Sequence, residues 1–344
     1  MQRAALVVVT LVIALQGCAP ADPASESTAG YTLEAPAWDP ADTWYKGNTH
    51  THTLESDGDS PPEYVAQWYK DHGYDFLVLS DHNVFTDPAT LGHLVDSTFL
   101  LVAGEEVTSG FDGKPVHVNG LNIPGVIEAR RAESLVATIQ ANVDAVREVD
   151  GVPHINHPNF RWAFSSEELA QIENDPLMEI WNGHPTVHNH GGGGVLGLEA
   201  VWDVLLTGGK RIYGIATDDA HHFQGEFGPG RANPGRGWVA IRAPSLEAQA
   251  LMDALEAGAF YASTGVELAD VVADGDRLEV HIAPRDDFKY TTEFIGAGGA
   301  VLATSTANPA VYQVTSAVGY VRAKVTDSAG YVAWVQPLLV SEGS

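Results

Sequence analysis

The chain has 344 residues, 44% of them hydrophobic, and its 18 Lys and Arg against 45 Asp and Glu leave a formal net charge of −27. That length supports one large core and a small second one, since single cores stop growing at about 250 to 300 residues. The hydrophobic content excludes a disordered chain, and the carboxylate surplus excludes nucleic acid as a partner, because neutralising phosphates needs clustered Lys and Arg.

In chain order, Arg3 precedes an apolar stretch at 4–15 that is too short to span a bilayer, the pattern of a secretory signal. It ends in Leu15-Gln16-Gly17-Cys18, which resembles the lipobox of bacterial lipoproteins, where the cysteine becomes the lipidated first residue. Cys18 is the only cysteine, so it can form neither an internal disulfide nor a thiolate metal site. The alternative is an ordinary signal peptide with an incidental cysteine. Residues 1–18 are therefore expected to be a lipoprotein signal peptide and 19–42, rich in Ala, Pro, Ser and Asp, a flexible linker. The implied location is exported and lipid-anchored, at the outer membrane or cell surface, or on a periplasmic face. The lipid would be the only membrane contact.

From 43 to 265, short apolar runs alternate with helical patterns, which predicts an α/β fold of βα units around a sheet or barrel. The runs are 44–47, 76–79, 99–102, 116–121, 152–155, 177–181 and 212–216, with 238–241 as a candidate eighth. Helices are predicted at 61–72, at 135–146, after the capping-box arrangement Ser165-Ser166-Glu167-Glu168, and at 245–258 before a glycine stop. Gly191 to Gly194 reads as a mobile loop after His184, His188 and His190. Beyond 265 the pattern changes to strands alone, at 278–282, 292–295, 311–314, 321–325 and 331–335, so 266–344 is expected to be a small all-β sandwich domain.

The 14 histidines sit largely where apolar runs end. In a βα barrel the strand C-termini converge on one face, so such residues meet although far apart in sequence. His50 and His52, at i and i+2, share one side of an extended segment. Asp57 follows. Asp81-His82, Glu105-Glu106, His117, His154, His157 and Asp218-Asp219-Ala220-His221 mark later runs. Imidazole with carboxylate and no thiolate suits Zn²⁺, Mn²⁺ or Fe²⁺. Any one of these histidines alone reads better as a hydrogen-bonded structural residue; the joint pattern does not.

The motifs His50-Thr51-His52, Asp57-Gly58, Asp81-His82, Gly104-Glu105-Glu106, His117, His157-Pro158 and Asp219-Ala220-His221 resemble, in order, those of PHP (polymerase and histidinol phosphatase) domains. Asn48, Asn83, Arg236-Gly237-Trp238 and 260–265 look most like the carbaryl-hydrolase-like branch, which carries a small C-terminal β domain. The resemblance implies a distorted seven-stranded (β/α) barrel holding two to three divalent ions (Mn, Zn or Fe). One ion would take His50, His52, Glu106 and Asp219, and a second Asp57, His82 and His221. Glu106 would bridge to a third at His117 and His157. The resemblance prefers Glu106 to Glu105 and Asp219 to Asp218, the unused neighbours then orienting ligands. His154 is read equally as such a neighbour or as structural. Glu106, Asp219 and His221 are the expected catalytic residues.

Adjacent ions acidify a shared water, so no nucleophilic side chain is needed. Arg161, Arg231 and Arg236 are candidate substrate-binding cations, weighed against surface solvation. Trp162, Phe164, Trp181 and Trp202 fit either an apolar pocket or the core. The leading expectation is a metal-dependent phosphoesterase acting on a small-molecule phosphomonoester or phosphodiester. Hydrolysis of a carboxylic or carbamic ester is the alternative, and a non-catalytic metal-binding or display lipoprotein comes from another class. The natural substrate and the oligomeric state are not set by the sequence.

Overall fold

The computed structural model describes residues 30–36, 39 and 41–342, so Cys18 and the signal peptide lie outside the described residues. The chain is mixed α/β. Its strands are β1 (Tyr31–Glu34), β2 (Thr43–Asn48), β3 (Phe76–Val78), β4 (Leu100–Val102), β5 (Gly104–Phe111), β6 (Lys114–Leu121), β7 (Val152–Ile155), β8 (Leu177–Asn182) and β9 (Tyr213–Thr217). There follow β10 (Trp238–Ala243), β11 (Phe260–Ser263), β12 (Leu268–Asp274), β13 (Arg277–Ile282), β14 (Tyr290–Gly296), β15 (Ala300–Ser305), β16 (Ala310–Gln313), β17 (Tyr320–Asp327) and β18 (Val332–Glu342). The helices are α1 (Pro62–Asp71), α2 (Leu135–Arg147), α3 (Ser166–Leu169), α4 (Leu198–Thr207) and α5 (Ala248–Ala257).

Local chemistry accounts for the helix ends. Pro62 opens α1, where its missing N–H costs nothing. Ser134 Oγ accepts from Ala137 N at 3.1 Å to cap α2. Ser165 and Glu168 form the capping box of α3, and Gly258 ends α5 at φ +75°, a conformation glycine adopts without a Cβ clash.

The expected distorted seven-stranded barrel is not formed as one continuous hydrogen-bonded sheet among the described residues. One sheet runs β15-β14-β17-β18-β11-β10-β2-β3-β4, and a second runs β5-β6-β7-β8-β9. Both turn side chains onto one core, which takes Phe76 and Val78 from β3, Val102 from β4, Leu121 from β6, Val152 from β7, Leu177 from β8, Ile215 from β9 and Ile241 from β10. The sheets meet at two isolated parallel bridges, Thr51 with Ala220 and His82 with Glu106. Strand directions are mixed in both sheets. In the larger one β10 runs antiparallel to the parallel set β2-β3-β4. In the second, β5 and β6 form a tight hairpin at Asp112 and Gly113, whose φ values of +48° and +78° suit a two-residue turn.

Two further differences concern the chain's ends. Tyr31–Glu34, expected within the flexible linker, pairs antiparallel with β18 and buries Leu33. The three-stranded sheet β12-β13-β16 shares a core with β14, β17 and β18 through Val271, Leu278, Val280, Phe294, Val321 and Val325. The larger sheet does not stop at residue 265, because β11 pairs with β18. The glycine run 191–194 forms a tight turn in which Gly192 and Val195 exchange backbone hydrogen bonds at 3.0 Å. All four glycines have positive φ, the reason a run of residues without Cβ stands there. Among the described residues no helix is long and apolar enough to cross a membrane.

Candidate metal centre

The segment after β2 is pinned from three sides. His50 N donates to Asn48 Oδ1 at 2.9 Å, His52 N donates to Ala220 O at 2.9 Å, and Asp219 N donates to His50 O at 3.0 Å. Asp81 accepts from Thr53 N at 2.7 Å and from Ser56 Oγ at 2.6 Å, holding the turn that carries Asp57. Asp219 sits at φ +49°, a conformation non-glycine residues rarely adopt. Its backbone bond to His50 fixes that geometry.

These constraints converge four donor atoms. His50 Nε2, His52 Nε2, Glu106 Oε2 and Asp219 Oδ1 lie 3.1 to 3.4 Å apart over the five separations that link them. Five of the six separations thus lie near the distance of about 3.3 Å between ligands of one tetrahedral ion. His50, His52 and Asp219 form one candidate group, and Glu106 joins His50 and His157 in an adjoining one. Glu106 Oε2 is buried, and besides the ion pair with His82 Nδ1 at 2.9 Å it has no hydrogen-bond donor. His50 Nδ1 faces Glu179 Oε1 at 2.7 Å, so in the neutral ring Nε2 carries a lone pair. Lone pairs and carboxylate oxygens turned on one another in a buried space fit a divalent cation.

The remaining donors form adjoining groups. His221 Nε2 lies 3.2 Å from Asp57 Oδ1, and His82 Nε2 lies 3.7 Å from Asp57 Oδ2. His52, Asp57, His82 and His221 together could hold an ion. On the other side of the cluster, Glu106 Oε1 faces His117 Nδ1 at 2.8 Å and His157 Nε2 at 3.3 Å. Glu106 thus turns one oxygen to each side. All nine sequence-predicted metal residues come together in this cluster.

Its electrostatics are those of an acid–base lattice. Burial opposes ionisation of Glu106, but His117, His50 and His82 hold its carboxyl well below the usual range. Burial likewise opposes the charge on Asp219, which His50, His52 and His221 hold low. For His50, burial disfavours the imidazolium, yet Asp219, Glu106 and Glu179 raise it well above the ordinary value. His221 is raised to about 9, with Asp57 and Asp219 outweighing burial.

The neighbours expected to orient ligands do something else. Glu105 points away from Glu106, because successive residues on β5 face opposite sides. Its Oε2 accepts from Ile127 N at 3.0 Å, and burial pushes its carboxyl up to about 7. Asp218 accepts from Tyr69 Oη at 2.7 Å and from the backbone N–H groups of Gly235, Arg236 and Gly237, so it shapes that loop. The orienting carboxylate is Glu179, which the sequence reading missed. Besides His50 it accepts from His157 N at 2.7 Å, Asn182 Nδ2 at 2.8 Å and Thr217 Oγ1 at 3.0 Å. Its signal was a charge inside the apolar run Leu177-Met178-Glu179-Ile180-Trp181. Asn182 also donates to Asp219 Oδ2 at 3.1 Å, and Asn156 donates to Glu106 Oε1 at 2.8 Å. His154 is buried beside Glu179 with neither ring nitrogen hydrogen-bonded, and burial pushes it to about 4.

A pocket of about 120 Å³ over the cluster is lined by cluster residues together with Phe160 and His184, and by no Lys or Arg among the described residues. Arg161 is exposed above the Phe160 ring, its guanidinium carbon 5.4 Å from the centroid. Arg231 turns to Gln224 O at 3.0 Å and to Asp59 at 3.5 Å. Arg236 is tied to the carbonyls of Gly183 and Gly228. Of the aromatic candidates, Phe164 and Trp202 are core, Trp162 is exposed and stacked on His188, and Trp181 lines an adjoining cavity.

No protein-family profile and no curated protein sequence matches the chain. Among solved structures, the chain is similar to a two-domain protein from Bacteroides vulgatus containing what is named a predicted PHP-like metal-dependent phosphoesterase. Identity is 15%, TM-score 0.49, covering 86% of this chain and 93% of that one. A protein from Bifidobacterium adolescentis, named as a candidate metal-dependent phosphoesterase, aligns at 15% identity and TM-score 0.41 over 54% of this chain and 89% of its own. An amidohydrolase from Chromobacterium violaceum, with bound sulfate and no metal, aligns at 13% and 0.38 over 54% and 93%.

Proposed function

We propose that this chain is a metal-dependent hydrolase of phosphate esters, a phosphomonoesterase or phosphodiesterase of PHP type. The observation that carries the reading is Glu106, whose two oxygens face two separate donor groups in the manner of a bridging carboxylate. One divalent ion is assigned to His50, His52, Glu106 and Asp219, a second to Asp57, His82 and His221, and a third to His117 and His157 with Glu106. Mn, Zn and Fe all suit these donors. Bound ions would supply Lewis acidity and a water that ionises near neutral pH.

The chain's own residues do the positioning. Glu179 fixes the His50 ring and the His157 backbone, Asn182 steadies Asp219, and Asn156 steadies Glu106. Glu106, Asp219 and His221 line the pocket, so they are the side chains assigned to the reacting atoms. Three adjoining donor groups around one pocket favour a phosphoryl group, because its several oxygens can be clamped together where a carbonyl offers one. With Cys18 as a lipid anchor, the activity would face outward from the membrane.

One observation favours the second reading, hydrolysis of a carboxylic or carbamic ester: the pocket lining includes Phe160 and, among the described residues, no Lys or Arg to receive an anionic substrate. The test compares kcat/KM for nitrophenyl phosphates, aryl acetates and N-methylcarbamates on one metal-loaded preparation, with and without chelator. Preference for the phosphates supports the proposal. Preference for an acetate or carbamate overturns it in favour of the second reading, and no metal-dependent turnover of any of them overturns it in favour of a binding protein.

A further inference from the structure

Beside the metal pocket lies a larger cavity of about 770 Å³, within the range of small-molecule sites. Two residues join the spaces. His184 lines both, and Asn182, in the cavity wall, donates to Asp219 Oδ2 at 3.1 Å. The wall includes Trp181, His184, His190, Arg236 and Tyr331 and, among the described residues, no aspartate or glutamate, in a chain whose net charge is −27. A carboxylate-free wall here tolerates an organic group that gains negative charge. Arg236 adds positive charge to it. Its guanidinium is engaged by Gly183 O and Gly228 O, which leaves it a fixed part of the wall.

The wall also offers aromatic surface. Trp181 Nε1 donates to Arg236 O at 3.1 Å, so its polar edge is satisfied, and its ring, held against Trp334 and His190, gives the wall a fixed aromatic part. Tyr331, 44% exposed, comes from the turn between β17 and β18, so the C-terminal strands supply part of the cavity. At the junction, His184 Nδ1 accepts the backbone N–H of Thr186 at 3.2 Å and lies 2.8 Å from its hydroxyl. A ring nitrogen that accepts a backbone N–H carries no hydrogen, so the neutral ring presents N–H at Nε2.

We propose that this cavity is a subsite for an aryl leaving group, making aryl phosphates the substrate class, with His184 donating a hydrogen bond to the aryl oxygen. The proposal rests on the phosphoesterase reading above. In the reaction a bond forms between water oxygen and phosphorus, and the aryl oxygen–phosphorus bond breaks with its electron pair on the aryl oxygen. One proton of the water ends on that oxygen and the other on phosphate. A fixed N–H donor helps most as the departing oxygen gains charge.

The experiment uses the full-length, metal-loaded protein and two readouts. Calorimetry compares phenylphosphonate with methylphosphonate, and kinetics compares phenyl phosphate with methyl phosphate. The wild type is expected to favour the phenyl member in both, and Tyr331→Leu to reduce each preference about tenfold, the loss of one well-formed aromatic contact. His184→Ala should lower kcat more for phenyl phosphate than for nitrophenyl phosphate, whose leaving oxygen needs less stabilisation. Equal affinity for the two phosphonates, or an unchanged preference in Tyr331→Leu, overturns the subsite while hydrolysis of either ester keeps the phosphoesterase reading. A phenyl preference in binding with no hydrolysis of either ester keeps the aryl cavity and overturns the enzyme.

Discussion

Glu179 Oε1 lies 2.7 Å from His50 Nδ1, while Glu179 Oε2 accepts the backbone N–H of His157, also at 2.7 Å. One buried carboxylate therefore sets the tautomer of one proposed ligand and the place of another. Glu179→Gln preserves volume but removes the charge that supports the His50 ring. Metal affinity should fall about 10- to 100-fold, the usual effect of losing a partner behind a ligating imidazole. Competition against a chromogenic chelator measures this, and wild-type affinity in the variant would show that Glu179 is only a packing residue.

Glu105 and Glu106 are chemically alike and adjacent, but β5 turns them to opposite faces. Glu106→Gln should bind markedly less metal than the wild type by elemental analysis, because both of its oxygens face donor groups. Glu105→Gln should keep its full complement, since its contact is Ile127 N. The reverse outcome would sink the assignment of the bridging acid.

The cluster was legible because metal-binding chemistry needs a narrow set of side chains, and here they recur at strand ends: His50 and His52 after β2, His157 after β7, Asp219 and His221 after β9. Its supports were less legible. Glu179 sits within the apolar strand β8, where one charge in a run looks like an interruption, and Asn156 and Asn182 belong to no motif. Trp238–Ala243, Val152–Ile155 and α2 followed from hydrophobic runs and periodicity. The hairpin of β5 and β6 is less legible, although Asp112-Gly113 is a strong turn signal, because the paired acids Glu105 and Glu106 look like the end of a strand rather than its start. That hairpin brings antiparallel pairing into the second sheet, whose β7, β8 and β9 are parallel. Helix α4 was hidden behind the glycine run, although Leu198, Val201, Trp202, Leu205 and Leu206 fall on one buried face. Pairing of β11 with β18 joins residues about 70 positions apart, and no local pattern encodes such a partner.

The C-terminal strands are locked to α4 by a buried ion pair. Arg322 donates to Asp203 through Nε at 2.8 Å and Nη2 at 2.7 Å, and Tyr320 Oη donates to the same carboxylate at 2.7 Å. Arg322 is also within 3.0 Å of Glu199. Asp203→Ala should destabilise by about 2 to 3 kcal/mol, below the cost of a fully unpaired buried charge because Glu199 still faces Arg322, while the Tyr320 hydroxyl loses its acceptor. A cycle with Arg322→Met, read by urea unfolding, should show the double variant losing less than the sum of the singles. Strict additivity would mean that the two side chains act independently.

Asp175 supplies the pH-dependent case. It is buried against Lys210, whose Nζ lies 2.6 Å from Asp175 Oδ1. Burial raises its carboxyl to about 6 even though Lys210 pulls the other way. In the unfolded chain the group ionises near the ordinary value of 3.8. Between these values the native state holds the extra proton, so this contribution to stability is full at low pH and is lost as pH rises through about 6. Lys210→Met removes the cation and moves the native value higher, extending that loss upward. The variant should therefore be close to wild type near pH 5 apart from the lost Lys hydrogen bonds, and weaker by about 3 kcal/mol near pH 8, where the lone carboxylate must be ionised or take up a proton. Urea unfolding at the two pH values measures the difference, and an equal loss at both would show that the ionisation of Asp175 does not govern stability here.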